Sequence, residues 1–264
     1  MELLEGIAYF VFGTLIGSSL NVVILRYHSG SFFSGRSRCF SCGKTLKWFE
    51  LIPIVSYLAL RRRCRSCRSL ISSQYILVET GTGLLFLFAY LKGFPGIAMP
   101  IALSLLSLLV AIFVYDLRHK IIPDGLVSLF IGVSFLQMFI QAAPFSFVLP
   151  SLSNLLAGPL LFVPFFALWF YSKGTWMGLG DGKLALGIGW YLGLELGTSA
   201  VVFAFWIGAA VSVGILLVSE LLRRRRFFKK RRLTLKSEIP FAPFLIAGYL
   251  LVLYLEVNLW HFIL

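Results

Sequence analysis

The chain has 264 residues, of which 59% are hydrophobic, 16% aromatic and only 13% charged, and its mean hydropathy is +0.90. Soluble domains carry about 45–50% apolar and about 25% charged residues, so the composition excludes an ordinary soluble enzyme and reads as an integral membrane protein. A net charge of +13 would point to nucleic acid in a soluble chain; here ten Lys and Arg lie between Arg26 and Arg68 and nine between Arg223 and Lys236, blocks that read as cytoplasmic topology and contact with anionic membrane lipid, with no nucleic acid as partner.

The first apolar run, Leu3 to Leu25, has two glutamates at its start, Glu2 and Glu5, the reverse of a signal peptide's basic start. It is expected to be a retained helix running from outside to inside. A cytoplasmic segment, 26–73, comes next. Further spans are expected at about 74–91, 97–115, 126–142, 154–171, 184–196, 198–222 and 241–262. The fold class is then all-α, a polytopic membrane helix bundle of about eight transmembrane helices with both termini outside. With these spans, 23 of the 24 Lys and Arg fall on cytoplasmic segments and only Lys92 falls outside. The break between the sixth and seventh spans, near Gly197-Thr198, is barely polar and is the least secure boundary. The basic run 223–236 is expected to be a solvated loop against lipid head groups. The chain divides into an N-terminal region, 1–92, and a membrane domain, 93–264, that carries both aspartate motifs.

All four cysteines lie in the first cytoplasmic segment, as Cys39-Phe40-Ser41-Cys42 and Cys64-Arg65-Ser66-Cys67. Two CxxC pairs at this separation match a tetrahedral thiolate site for zinc. A reducing cytoplasm argues against disulfides, and Arg38, Arg63, Arg65 and Arg68 would help hold the thiolates ionised. Redox-active or simply reduced thiols are the alternatives. Four thiolates close the coordination sphere, so such a zinc would fold the insert rather than catalyse. The segment between the pairs, Leu46 to Pro53, is amphipathic and aromatic and is expected on the membrane face.

Eleven acidic residues are few enough to weigh singly. Glu79 falls within the second span, where an ionisable group is costly and is a functional candidate by default; reaching back to the basic loop is its structural explanation. Asp124 follows Pro123 at the start of the fourth span, a position that suits helix capping. Asp116 ends the third span, where the helix dipole disfavours a negative charge, so it has no structural excuse. Asp181 sits in the glycine-rich turn Gly178-Leu179-Gly180-Asp181-Gly182-Lys183, either as an N-cap or as a carboxylate aimed inward by flanking glycines. Two such carboxyls can share one proton, leaving one acid and one base near neutral pH. The base would activate water on a scissile carbonyl and the acid would protonate the leaving group. The histidines, His28, His119 and His261, form no constellation with a serine; His119 reads as a surface residue.

Taken together these residues resemble the type IV prepilin peptidases, the GxGD aspartic proteases of bacterial inner membranes. Gly17 to Ile24 is similar to the family's first-helix signature. Arg36 to Cys42 and Trp48 to Pro53 resemble its zinc-type insert, which Cys64 and Cys67 complete. Val78 to Gly81 matches its second helix, Asp116 to Asp124 and Gly178 to Lys183 its two aspartate motifs, and Glu238 to Phe244 the start of its last helix. Two departures are Glu50, where an acidic or amide residue is usual, and Phe40, where proline is common. The resemblance implies that Asp116 and Asp181 are the catalytic pair, supported by Asp124, Gly178, Gly180, Lys183 and Glu79. It implies prepilins and type II secretion pseudopilins as substrates, cut at the cytoplasmic membrane face after a glycine. It also implies N-methylation of the new terminus with S-adenosylmethionine as donor, although no glycine-rich dinucleotide signature locates that site. A leader is basic, so Glu79 is expected to help receive it. The competing readings are another GxGD protease with a preflagellin-like substrate, a proton-coupled transporter with carboxylates near the midplane, and an inactive zinc-dependent membrane scaffold. The sequence leaves the oligomeric state open.

Overall fold

The computed structural model describes residues 2–27, 35–142, 145–224 and 240–263. Its helices are α1 (Glu2–Arg26), α2 (Val55–Ala59), α3 (Gln74–Lys92), α4 (Ala98–His119), α5 (Asp124–Gln137), α6 (Leu152–Ser172), α7 (Leu179–Arg224), α8 (Ala242–Leu255) and α9 (Trp260–Ile263), with a 3₁₀ turn at Trp48–Leu51. Among the described residues, α1, α3, α4, α6 and the 179–218 part of α7 are long and apolar enough to cross a membrane, and the protein is a multi-pass membrane protein. The basic run beyond Arg224 and the Glu238-Ile239 start of the last motif lie outside the described residues.

The chain forms two compact units, Met1–Val114 with Ala142–Ser146, and Tyr115–Gln141 with Phe147–Leu264. The first is built on α1 against α3. Their backbones approach closely because small residues face each other: a Cβ on Gly13 would lie 2.8 Å from Gly83 Cα, and one on Gly17 2.9 Å from Glu79 Cα. In a membrane, where lipid is as apolar as leucine, such close backbone packing is a main source of helix association. Polar glue adds to it. Asn21 is fully buried; its Nδ2 donates to the carbonyls of Gly17 (3.3 Å) and Tyr75 (3.4 Å), and its Oδ1 accepts from Gln74 Nε2 at 3.2 Å.

In the second unit α7 packs on α5, α6 and α8. Gly193 breaks α7 with φ 77° and ψ −179°, a conformation that only glycine adopts readily. The two halves fold back on each other: a Cβ on Gly197 would lie 3.4 Å from Gly189 Cα, whereas eight residues of straight helix advance about 12 Å. The sixth and seventh expected spans are thus a helical hairpin. It turns at Gly193 rather than at the expected Gly197-Thr198, because the positive-φ glycine and not the local polarity sets the break.

Other boundaries also differ from the hydropathy reading. The fourth expected span stops at Gln137, and the chain continues into two three-residue strands, Ile140–Ala142 and Phe145–Phe147, that form a small two-stranded sheet in an otherwise helical fold. The last span stops at Leu255, where Glu256 takes a left-handed φ of 51°, and a short turn at Trp260–Ile263 follows. Apolar runs extend past these ends, so hydropathy alone overshoots.

Candidate active site and cysteine cluster

Asp116 and Asp181 both belong to the second unit. Both are almost fully buried, at 4% and 8% exposure, and their carboxyls are close enough to interact electrostatically. α4 runs to His119, one turn further than expected, so Asp116 lies inside its last turn. The α4 dipole disfavours its charge there, but α8 supplies a remedy. Its first residue, Ala242, is followed by Pro243, and the free Ala242 N–H donates to the Asp116 carboxyl. The first N–H groups of a helix have no intrahelical partner and carry the positive end of its dipole. Asp116 Oδ2 has no hydrogen-bond partner among the described residues, which leaves it available to a ligand.

Asp181 occupies the third position of α7, with Gly178 as the residue before the helix, so it is not the N-cap. It bonds reciprocally with Gly178: its own N–H donates to the Gly178 carbonyl at 3.3 Å, and its carboxyl accepts the Gly178 N–H. That last contact is the carboxylate half of a capping box. Each aspartate therefore sits at a helix N-terminus, one its own and one borrowed. The motif's glycines serve close packing: among the described residues, positive φ does not occur at Gly178, Gly180 or Gly182. A Cβ on Gly180 would meet Ile122 Cβ at 2.9 Å, whereas one on Gly178 meets only ordinary contacts at 3.7 Å and beyond.

Asp124 is the first residue of α5, one place after the N-cap Pro123, so it does not occupy the capping position. Its Oδ1 accepts from Lys183 Nζ at 2.5 Å, with the Asp124 side chain 78% exposed. The expected capping role gives way to an ion pair between the two aspartate motifs. Next to this site, Leu160, Leu161, Pro164, Phe165 and Leu168 of α6 face Leu194, Thr198, Val201, Val202 and Phe205 of α7 across an apolar groove of about 360 Å³. Phe165 also packs on Gly182, with its Cβ 3.1 Å from where a Cβ would stand, so the groove begins beside Asp181.

Glu79 lies in the first unit and is 6% exposed. It accepts the backbone N–H of Ile54 at 2.8 Å, with the Ser18 hydroxyl as a second donor. It reaches the insert, in line with the structural explanation weighed for it, but through backbone rather than through a basic side chain.

The cysteines come from two knuckles of the same build. Cys39 N–H donates to Lys44 O and Gly43 N–H to Cys39 O; Cys64 N–H donates to Ser69 O and Arg68 N–H to Cys64 O, each at 2.9 Å. Gly43 and Arg68 both take the left-handed turn, at φ 70° and 57°. All four sulfurs lie within 4.8 Å of one another, and Cys39 Sγ is 3.8 Å from Cys67 Sγ. A tetrahedron with Zn–S bonds of about 2.3 Å has an edge of about 3.8 Å, so the cluster fits a metal ion. The N–H groups of Cys42 and Ser41 lower the Cys39 thiol to about 6. The Lys44 N–H lowers Cys42, but desolvation and the neighbouring Cys39 and Cys67 sulfurs outweigh it and push that thiol up to about 11. Four sulfurs this close ionise together only around a cation.

Sequence reasoning assigned no role to Ala242, Ile122, Ile54 or Gly193. Pro243 was the available signal for the first, since proline marks the first turn of a helix, whose N–H groups have no intrahelical partner.

A family model described as the bacterial peptidase A24 N-terminal domain matches residues 11–93, and one described as the type IV leader peptidase family matches residues 103–213. Similar curated proteins are named prepilin leader peptidase/N-methyltransferase. That of Myxococcus xanthus is 37% identical over 80% of this chain and 63% of its own length; that of Burkholderia pseudomallei strain 1026b is 32% identical over 81% and 65%. The chain thus spans just under two thirds of these two relatives. The Bacillus subtilis protein is 30% identical over 92% of this chain and 91% of its own length. No solved structure matches the chain. With both halves matched in order and a relative covered nearly end to end, the chain belongs to the type IV leader peptidase family.

Proposed function

We propose that the protein is a membrane aspartic endopeptidase that removes the leader of type IV prepilins and type II secretion pseudopilins. The observation that carries this reading is the placement of two buried carboxyls, Asp116 and Asp181, within interacting distance at two helix N-termini. The pair shares one proton. The ionised member takes a proton from water as the oxygen attacks the scissile carbonyl, and the protonated member delivers its proton to the leaving nitrogen as the C–N bond breaks. Asp124 and Lys183 pin the two motifs together, Gly180 lets α7 close on Ile122, Gly178 N–H orients Asp181, and Glu79 orders the insert. The apolar groove beside Asp181 suits a substrate whose cleavage site adjoins an apolar helix.

In this reading the α7 hairpin, α5 and α8 complete about eight spans, with the aspartates at the cytoplasmic face of a bacterial inner membrane. Residues 1–92 and 93–264 are its two regions, a division that the limits of the matched segments, 11–93 and 103–213, support. Cys39, Cys42, Cys64 and Cys67 would hold a structural zinc. The names of the relatives add N-methylation of the new terminus, for which S-adenosylmethionine would supply the methyl group.

Co-expression with a prepilin tests the reading. The wild type should shift the prepilin to its shorter form, and Asp181→Asn should not. Cleavage retained by that variant would overturn the mechanism.

A further inference from the structure

The segment between the two cysteine pairs carries large apolar side chains that the protein leaves uncovered. Trp48 is 78% exposed, Val55 59% and Leu58 61%, with Leu51 and Ile52 near 40%. Trp48 and Leu51 lie three residues apart on the 3₁₀ turn, Val55 and Leu58 three apart on α2, and Ile52 lies in the extended link between the two elements. The opposite side turns inward, with Tyr57 and Pro53 buried. Exposed arginines, Arg61, Arg62 and Arg63, follow at once.

Glu79 fixes the depth of this segment. α3 has 19 residues, a length of about 29 Å, so it needs all of its turns to cross a hydrocarbon core of about 30 Å. Placed across such a core, α3 would have Gln74 at one boundary. Glu79 is five residues inside it, roughly 7 Å along the axis. Its buried carboxylate holds the Ile54 N–H at 2.8 Å. Ile54 sits at the centre of the exposed stripe and takes φ 61°, a costly left-handed conformation for a β-branched residue. The stripe is thus latched below the boundary, where an exposed apolar side chain meets lipid.

We propose that the cysteine insert is an interfacial anchor: Glu79 latches Ile54 inside the bilayer boundary, Trp48, Leu51, Ile52, Val55 and Leu58 bed among acyl chains, and Arg61, Arg62 and Arg63 bind anionic lipid head groups. The chemistry is that of an amphipathic interfacial segment, an apolar face rimmed by cations. The metal cluster is then held at the membrane surface rather than displayed in solution. This assignment does not depend on the peptidase reading.

The purified full chain in phosphatidylcholine vesicles, with and without phosphatidylglycerol, supplies the test. Brominated phosphatidylcholine should quench Trp48, read as the difference between wild type and Trp48→Phe. Glu79→Leu should lose most of that quenching, and Glu79→Gln, whose amide oxygen still accepts the Ile54 N–H, should keep it. Native mass spectrometry should show several-fold less phosphatidylglycerol retained by the Arg61→Gln/Arg62→Gln/Arg63→Gln variant, with phosphatidylcholine unchanged. Unquenched Trp48 in the wild type would overturn the anchor, whatever the variants do. Equal phosphatidylglycerol retention would overturn its anionic partner, and undiminished quenching in Glu79→Leu would overturn the latch.

Discussion

The cysteine cluster and the carboxylate pair are assembled by opposite routes. Each knuckle is a local turn closed by its own backbone hydrogen bonds, and two copies of one small design bring four sulfurs within 4.8 Å. Cys42 and Cys67 are exposed. The aspartates come from α4 and α7, far apart in the chain, and are buried where a third helix, α8, lends an N–H. A local site can be recognised from spacing, because the residues that make it are its own neighbours. A buried carboxyl pair depends on helices whose packing no short motif encodes. The cysteine site should therefore respond to loss of its ligand, and the aspartate site to loss of its packing as well as its charge.

The largest expected effect separates the two directly. Asp116→Asn or Asp181→Asn should lower leader cleavage by about two to four orders of magnitude, the usual worth of an acid–base group. Either variant should leave the cysteine site's metal content unchanged, measured by elemental analysis of purified protein. Next comes the cluster itself. Cys64→Ser, or a strong chelator, should abolish stoichiometric zinc and expose residues 39–70 to protease, because a structural zinc contributes folding energy outright and an exposed hydrogen bond such as Lys44 Nζ to Ser66 Oγ is a weak substitute for it. Full zinc in Cys64→Ser would break the contrast, since it would place the metal elsewhere.

Two smaller effects sharpen the role of packing at the aspartates. Gly180→Ala drives a methyl into Ile122 and should cost about 1–3 kcal/mol, seen as a lower melting temperature with reduced cleavage. Gly178→Ala has room and should change stability far less, so equal losses would show that space is not what the motif's glycines provide. Smallest is Asp124→Asn. The Asp124–Lys183 pair is partly exposed, and an exposed ion pair contributes at most about 1 kcal/mol. Cleavage should fall only a few-fold, and Lys183→Met should give the same loss without adding to it in the double variant.

Hydropathy and charge were enough to read a multi-pass helical protein, the positions of most spans and the break between the fifth helix and the motif. They overshot the ends of α5 and α8, where apolar residues continue beyond the helix into strands or turns. Polarity also misplaced the α7 reversal, which a positive-φ glycine sets without any polar residue. At the site, the composition of the chain singled out Asp116 and Asp181 because carboxylates are scarce in it. Capping logic then assigned Asp124 and Asp181 to helix starts one position at a time. It missed that Asp124 pairs with Lys183 and that Asp181 reaches back to Gly178.

What the sequence determined by itself is everything carried by neighbours along the chain: the cysteine knuckles, the apolar spans, the charge blocks and the glycine-flanked aspartate. What only the tertiary structure decided is how a negative charge is tolerated at the end of α4. The sequence shows Asp116 at the unfavourable pole of its own helix. Only the fold shows that the free N–H of Ala242 is brought to it, because a helix dipole acts through space, and which helix end lies nearby depends on packing across the chain rather than on adjacency within it.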